Sequence, residues 1–336
     1  MSSQRLYKAL LVTETPDGPF DRKIAQRSFD DLPTGDVLIR VHYSSLNYKD
    51  GLSATGNRGV TKEYPHVPGV DAAGVVEEST VDDFVPGEEV LVTGYDLGSN
   101  TDGGWAEYIR VPAQWVVKRP RDLTLRETMI YGTAGFTAGL SVHKLLLNNV
   151  RSDQGPVLVT GATGGVGCFA VAILAQLGFQ VVAVTGKKDE RQFLLGLGAN
   201  EVIRREEALD QSTKPLLGGR WAGVVDTVGG ALLETAIRRT KLEGSVTCCG
   251  NIGSAELHTS IYPFILRGIT LAGVGSAFIP NEIRGAVWEK LSGDWKVRRL
   301  DRLSTEVSLE ELNRTYIAMI LEGKIRGRVL INILKP

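Results

Sequence analysis

Four glycines within seven residues decide most of what this chain can fold into. An apolar run at 157–160 breaks into Gly161-Ala162-Thr163-Gly164-Gly165-Val166-Gly167, and beyond it Val166, Phe169, Ala170, Ile173, Leu174 and Leu177 recur along one helical face. A strand that turns sharply through glycines into a helix leaves backbone N–H groups unpaired at the helix N-terminus, and the missing Cβ atoms let a pyrophosphate approach them. The spelling departs from a strict G-x-G-x-x-G, but the placement between strand and helix predicts dinucleotide binding. Gly164, Gly165 and Val166 are the expected donors.

The end of the next apolar run, 181–184, selects between the two nicotinamide dinucleotides. A site for NAD places an acidic residue there to hold the ribose 2′-hydroxyl. This chain reads Thr185-Gly186-Lys187-Lys188. A hydroxyl, a backbone nest and an ammonium stabilise a 2′-phosphate that a carboxylate would repel, so the sequence predicts NADPH. Arg205, just past the third run, is a further candidate for that phosphate, while Asp189 and Glu190 are expected to cap the following helix.

Further apolar runs at 201–203, 223–227, 244–249 and 269–274, most of them separated by helical segments, continue the βαβ order. With the first two they predict six parallel strands, a complete doubly wound sheet. Before it the texture is β-rich: Val37, Ile39, Val41 and Tyr43 alternate with Leu38, Arg40 and His42, and Pro86-Gly87 marks a turn ahead of Val90-Leu91-Val92. A final strand at 328–333 lies too far beyond the sixth run to join that sheet. The expected fold is therefore α/β, with a Rossmann domain at 125–298 inserted into a β-rich domain made of 1–124 and 299–336; 336 residues suffice for two domains.

With 38 basic against 39 acidic residues and no long run of either sign, nothing in the composition supports a surface that tracks nucleic-acid phosphates. No stretch is long and apolar enough for a membrane span, and the first residues lack the pattern of a secretory leader, so a cytoplasmic protein is expected. Cys168, Cys248 and Cys249 are read as reduced, buried packing residues. The β-rich portion contains no cysteine, and His42 and His66 stand apart from other ligand types, so no metal site is expected. Negative charge developing on an acceptor would then be stabilised by hydrogen-bond donors. Hydride addition to the β-carbon of a conjugated carbonyl fits that constraint.

Asn47-Tyr48-Lys49-Asp50, Pro68-Gly69-Val70-Asp71-Ala72-Ala73-Gly74, Gly132-Thr133-Ala134-Gly135-Phe136-Thr137-Ala138, the glycine turn, and Tyr262-Pro263-Phe264-Ile265-Leu266-Arg267-Gly268 together resemble the zinc-less medium-chain dehydrogenases/reductases. The likeness runs nearly end to end, through Gly327-Arg328-Val329, and is nearest to the YhdH/YhfP-type quinone oxidoreductases, the group that includes NADPH-dependent acrylyl-CoA reductases. It implies that the β-rich domain is GroES-like, that the cofactor domain is Rossmann, and that the protein is a homodimer. It also implies cofactor contacts at Tyr48, Thr163, Gly164, Gly165, Val166, Thr185, Gly186, Lys187, Arg205, Asn251, Ile265, Ser276 and Arg328. Where the family often has Ser-Gly-Arg at the second strand's end, this chain has Thr185-Gly186-Lys187, and lysine lacks arginine's bidentate fork, which weakens the preference for NADPH. Tyr48 and Asn47 fall where the family's nicotinamide and substrate meet; a phenol or amide there can donate to an enolate oxygen, or can simply shape the pocket. Lys49 and Asp50 are read as structural.

Three functions compete at this stage. Reduction of an unsaturated thioester such as acryloyl-CoA calls for cations that meet the CoA phosphates, with Arg58, Lys62, Arg267 and Arg284 as candidates. Reduction of quinones or alkenals needs only a flat apolar pocket. An NADPH-binding sensor would need no turnover.

Overall fold

The computed structural model describes residues 5–335. Its chain contacts divide into two compact units: one runs through Thr133 and takes in Ala277–Gly285 and the chain from Arg299 onward, and the other comprises Ala134–Ser276 and Ala286–Arg298. The parting falls at 133/134, nine residues beyond the 124/125 boundary expected from the sequence, and Ala277–Gly285 returns to the first unit. Specific bonds explain both departures. Asp71 accepts the Thr133 N–H at 2.9 Å, and the buried Arg284 donates to the Thr93 carbonyl at 2.8 Å.

In the first unit β1 (Leu6–Glu14) and β2 (Phe20–Ser28) form an antiparallel hairpin. The larger sheet is built from β3 (Val37–Ser45), β4 (Asp71–Ser79), β5 (Glu89–Thr93), β6 (Tyr108–Val111) and β7 (Val116–Lys118). A short helix, α1 (Tyr48–Ser53), leads out of β3, and Gly51 lets it pack closely: a Cβ there would stand 2.9 Å from Ile320 Cγ2. The helix α2 (Leu125–Leu147) is broken at Gly132, whose φ of 49° and ψ of −158° suit only glycine.

The second unit holds the parallel sheet of β8 (Val157–Val159), β9 (Val181–Thr185), β10 (Glu201–Arg204), β11 (Trp221–Asp226), β12 (Thr240–Cys248) and β13 (Thr270–Gly273). Their spatial order, β10-β9-β8-β11-β12-β13, reverses direction between β8 and β11, which is where open parallel sheets bind ligands at their carboxyl ends. Strands buried on both faces need continuous apolar runs, and β8, β9 and β11 are buried along their whole length. Helix α3 (Gly165–Gln176) follows β8 directly. Back in the first unit, β14 (Ser304–Val307) pairs parallel with β15 (Arg328–Asn332), and β15 pairs antiparallel with β3.

Two smaller expectations are corrected. Only Cys168 is fully buried; Cys248 and Cys249, at the end of β12 where adjacent side chains point to opposite faces, are partly buried. Burial pushes the Cys249 thiol up to about 12, so it is no nucleophile. Glu190 occupies the cap position of the helix Arg191–Gly196 without a side-chain cap bond, and Asp189 takes a left-handed φ of 62° in the turn before it.

Candidate active site

Two groups of residues, one in each unit, carry the candidate chemistry. In the second unit Gly161 turns the chain out of β8 with φ +57°, and a Cβ there would stand 2.3 Å from Thr227 Oγ1. Gly167 faces the same constraint, since its Cβ would lie 2.3 Å from the Gly161 carbonyl oxygen. Gly164 caps α3 in an extended conformation, and helix geometry leaves the N–H groups of Gly165, Val166 and Gly167 without intrahelical acceptors. The glycines keep this turn tight, and its free N–H groups form a cradle with the positive end of a twelve-residue helix dipole behind it. It fits a pyrophosphate.

At the end of β9, Thr185 Oγ1 lies 3.4 Å from Thr163 Oγ1 and accepts the Lys187 N–H at 3.1 Å. The exposed guanidinium of Arg205 rests on Gly186, where a Cβ would meet its Nη2 at 2.9 Å. Thr163, Thr185, Gly186, Lys187 and Arg205, chosen from the sequence over a span of 43 residues, thus come together in space. No carboxylate of the described residues pairs with Arg205, so its charge is available to an anion. Elsewhere in this unit Asn251 is exposed in the loop after β12, Ile265 projects from the helix Tyr262–Arg267 at 62% exposure, and the Ser276 hydroxyl accepts from Thr137 Oγ1 at 2.8 Å.

The first unit holds a buried ionic cluster beneath Tyr48. Asp71, fully buried, accepts from Ser45 Oγ at 2.5 Å, Asn47 Nδ2 at 2.8 Å and Thr133 Oγ1 at 2.6 Å. Asp50, also fully buried, accepts the N–H groups of Asn47 and Val70, both at 2.8 Å, and the Asn47 amide at 3.2 Å. Burial, reinforced by the charge of Asp71, pushes the Asp50 carboxyl up to about 7. Arg328 donates to the carbonyls of Ile130 and Leu46, to Asn47 Oδ1 at 3.1 Å and to Ser45 Oγ at 2.6 Å.

Carboxylates only accept, so the Asn47 amide must turn its NH2 toward Asp71 and Asp50, and Arg328 takes its oxygen. Both amide hydrogens of Asn47 are thereby engaged within the cluster. Arg328, 3% exposed, is enclosed by the same cluster. Tyr48 stands at the head of α1 with 41% of its surface exposed.

The cations considered for CoA are placed as follows. Arg284 is 1% exposed and bonded to Thr93 and Ala277, Arg267 donates to the carbonyls of Arg238, Thr240 and Leu217, and Arg58 pairs with Glu14 at 2.6 Å. Lys62 alone of the four is exposed and without an ion pair to the described residues. His66 lies 3.5 Å from Asp102, and burial lowers the pKa of both His66 and His42. Among the described residues no group of three or more His, Cys, Asp or Glu is arranged to hold a metal ion.

Sequence reasoning passed over Ser45, Asp71 and Thr133 as partners in the cluster beneath Tyr48, and Asp226 as a buried, hydrogen-bonded carboxylate of the second unit. A signal was present for the carboxylates: Asp71 and Asp226 each stand in an apolar strand, Val70-Asp71-Ala72-Ala73 and Val224-Val225-Asp226, where an unpartnered charge would be prohibitive.

Comparison with known proteins places these features. Residues 33–121 match the alcohol dehydrogenase GroES-like domain, and residues 165–292 match the zinc-binding dehydrogenase domain. YhfP of Bacillus subtilis, which bears a provisional quinone oxidoreductase name, is 46% identical over 91% of this chain and 93% of its own. Its crystal structure with NAD bound matches with a TM-score of 0.95 over 98% of this chain and 100% of its own. The acrylyl-CoA reductase AcuI of Ruegeria pomeroyi is 40% identical over 98% of this chain and 99% of its own. The YhdH oxidoreductase of Salmonella enterica in complex with NADP is 40% identical over 97% of this chain and 99% of its own, with a TM-score of 0.94.

Proposed function

Because the chain belongs to the zinc-less medium-chain dehydrogenases/reductases, in the group of YhfP and AcuI, we propose that it uses NADPH to reduce the carbon–carbon double bond of a small α,β-unsaturated carbonyl compound or thioester, with acryloyl-CoA the first candidate. The observation that carries this reading is the near end-to-end likeness to an acrylyl-CoA reductase. The glycine turn receives the pyrophosphate, and Thr185, Lys187 and Arg205 receive the 2′-phosphate.

Bound NADPH supplies the hydride that adds to the β-carbon of the acceptor. Tyr48 presents its hydroxyl to the carbonyl oxygen as negative charge builds there, and a proton at the α-carbon completes the saturated product. Asn47, Asp50, Asp71 and Arg328 fix α1 so that this phenol is preorganised. Replacing Tyr48 with Phe lowers kcat by about 10- to 100-fold, the worth of one hydrogen bond to a charged oxygen, with the NADPH KM little changed.

A second reading, quinone reduction, draws support from the internal use of Arg58, Arg267 and Arg284, which leaves Lys62 as the sole original candidate for CoA phosphates. The test follows NADPH consumption by metal-stripped enzyme offered acryloyl-CoA, a simple alkenal and a benzoquinone side by side, with NADH as the control donor. A rate with acryloyl-CoA far above the others supports the thioester; quinone-only turnover overturns it, and no turnover at all leaves a binding role. The protein acts as a homodimer in this reading, for which the open edge of β13 and the exposed Ile261 and Leu266 offer a surface. Light scattering in solution decides it.

A further inference from the structure

The second unit contains a buried carboxylate for which the chemistry above has no use. Asp226 closes β11 at the point where the sheet reverses direction, and it is fully buried. One oxygen accepts from Thr160 Oγ1 at 2.6 Å. The other accepts the N–H groups of Gly229 at 2.8 Å and Val228 at 3.3 Å. Thr160 is oriented for this role, because its Oγ1 accepts the Thr227 N–H at 3.0 Å and must donate its own hydrogen to Asp226. Thr227 returns the bond, its hydroxyl donating to the Thr160 carbonyl at 2.9 Å.

Thr160 is the last residue before the glycine turn, so the carboxylate reaches that turn directly. It also reaches the loop carrying Asn251. The turn that it holds at Gly229 packs against that loop, where a Cβ on Gly229 would lie 3.1 Å from the Gly250 carbonyl oxygen, and a Cβ on Gly250 would lie 2.1 Å from the Thr227 carbonyl oxygen. The Asp226 backbone carbonyl accepts the Cys249 N–H at 3.0 Å, which ties the end of β12 to the same point.

We propose that Asp226 is a positioning residue for cofactor binding, joining the glycine turn to the Asn251 loop so that both stand in the geometry NADPH requires. The inference rests on the reading of Gly161 to Gly167 as the pyrophosphate cradle. It touches no reacting atom, so its signature is in affinity and not in the chemical step.

In Asp226→Asn an amide NH2 must face either the Thr160 hydroxyl or the two N–H donors, and one side loses its acceptor. NADPH Kd, read by fluorescence titration of the purified full-length protein, rises about 10-fold or more, while kcat at saturating NADPH stays within about twofold. Thr160→Val reproduces the affinity loss, and Thr160→Ser, which keeps the hydroxyl, restores it. That pair decides the matter should Asp226→Asn fail to fold. Gly167→Val separates the two claims: if it binds NADPH as tightly as wild type, the cradle reading fails and the role of Asp226 with it. If Gly167→Val loses NADPH while Asp226→Asn and Thr160→Val keep wild-type affinity, the cradle stands and the positioning role is overturned.

Discussion

The cofactor cradle and the cluster beneath Tyr48 solve opposite problems. The proposed cradle leaves groups open: N–H donors at the start of α3 and the exposed guanidinium of Arg205 have no partner among the described residues and are free to meet an anion. The cluster leaves almost nothing unsatisfied. Asp71, Asp50, Asn47, Ser45, Thr133 and Arg328 use one another's donors and acceptors, and Tyr48 is the exposed residue they support. On the proposed roles, a binding site for a charged ligand keeps its capacity open, whereas a support for a catalytic side chain closes its own network so that the side chain has one position.

The comparison breaks most readily at Asp71. Asp71→Ala leaves Arg328 buried without its carboxylate, 3.8 Å away in the native cluster, and should cost about 3–5 kcal/mol of stability, measured by urea unfolding. A loss below about 1 kcal/mol would mean the cluster is not the closed network described. Gly132 shares this fate, because a Cβ there would stand 2.5 Å from Asp71 Oδ2.

The cradle should respond in function and not in stability. Arg205→Ala removes a charge-assisted contact and should raise the KM for NADPH about 10- to 100-fold, leaving the KM for NADH and the melting temperature nearly unchanged. Equal loss with both cofactors would place Arg205 away from the 2′-phosphate.

A smaller effect sharpens the account of the cluster. The folded-state pKa of Asp50 is raised to about 7 from an ordinary value of 3.8, so the folded protein binds the proton more tightly than the unfolded chain. Its contribution to stability is fully present below about pH 4 and is lost as pH rises toward and through 7. Asp50→Asn should therefore show a flatter decline in urea midpoint between pH 5 and pH 8 than wild type. Parallel profiles would remove Asp50 as the titrating group.

The two regions also differ in how far a sequence reader can see them. The cradle is written locally: Gly161 is required where a Cβ would strike the Thr227 side chain and Gly167 where it would strike the Gly161 carbonyl, both within seven consecutive residues. Thr185 and Lys187 follow from position at the end of one strand. The cluster is assembled across the chain, with Thr133 62 residues from Asp71 and Arg328 283 residues from Ser45. Alternation reveals β3, and a final strand is legible at 328–333, but neither shows that β15 lies beside β3, and without that pairing the cluster around Arg328 cannot be seen. Arg284 misled in the same way: a lone arginine in a helical stretch looks exposed, and only the fold shows it bonded to Thr93 and Ala277. The central strands β8, β9 and β11 were legible because burial on both faces demands uninterrupted apolar runs.

The most direct test of the account uses NADPH carrying deuterium at both nicotinamide C4 positions with acryloyl-CoA as acceptor, followed by mass spectrometry of the product. Direct hydride transfer to a conjugated acceptor predicts propionyl-CoA with deuterium at its β-carbon and a solvent-derived hydrogen at its α-carbon. NADPH oxidation that leaves acryloyl-CoA unreduced, or that places only solvent hydrogen on the β-carbon, would contradict it.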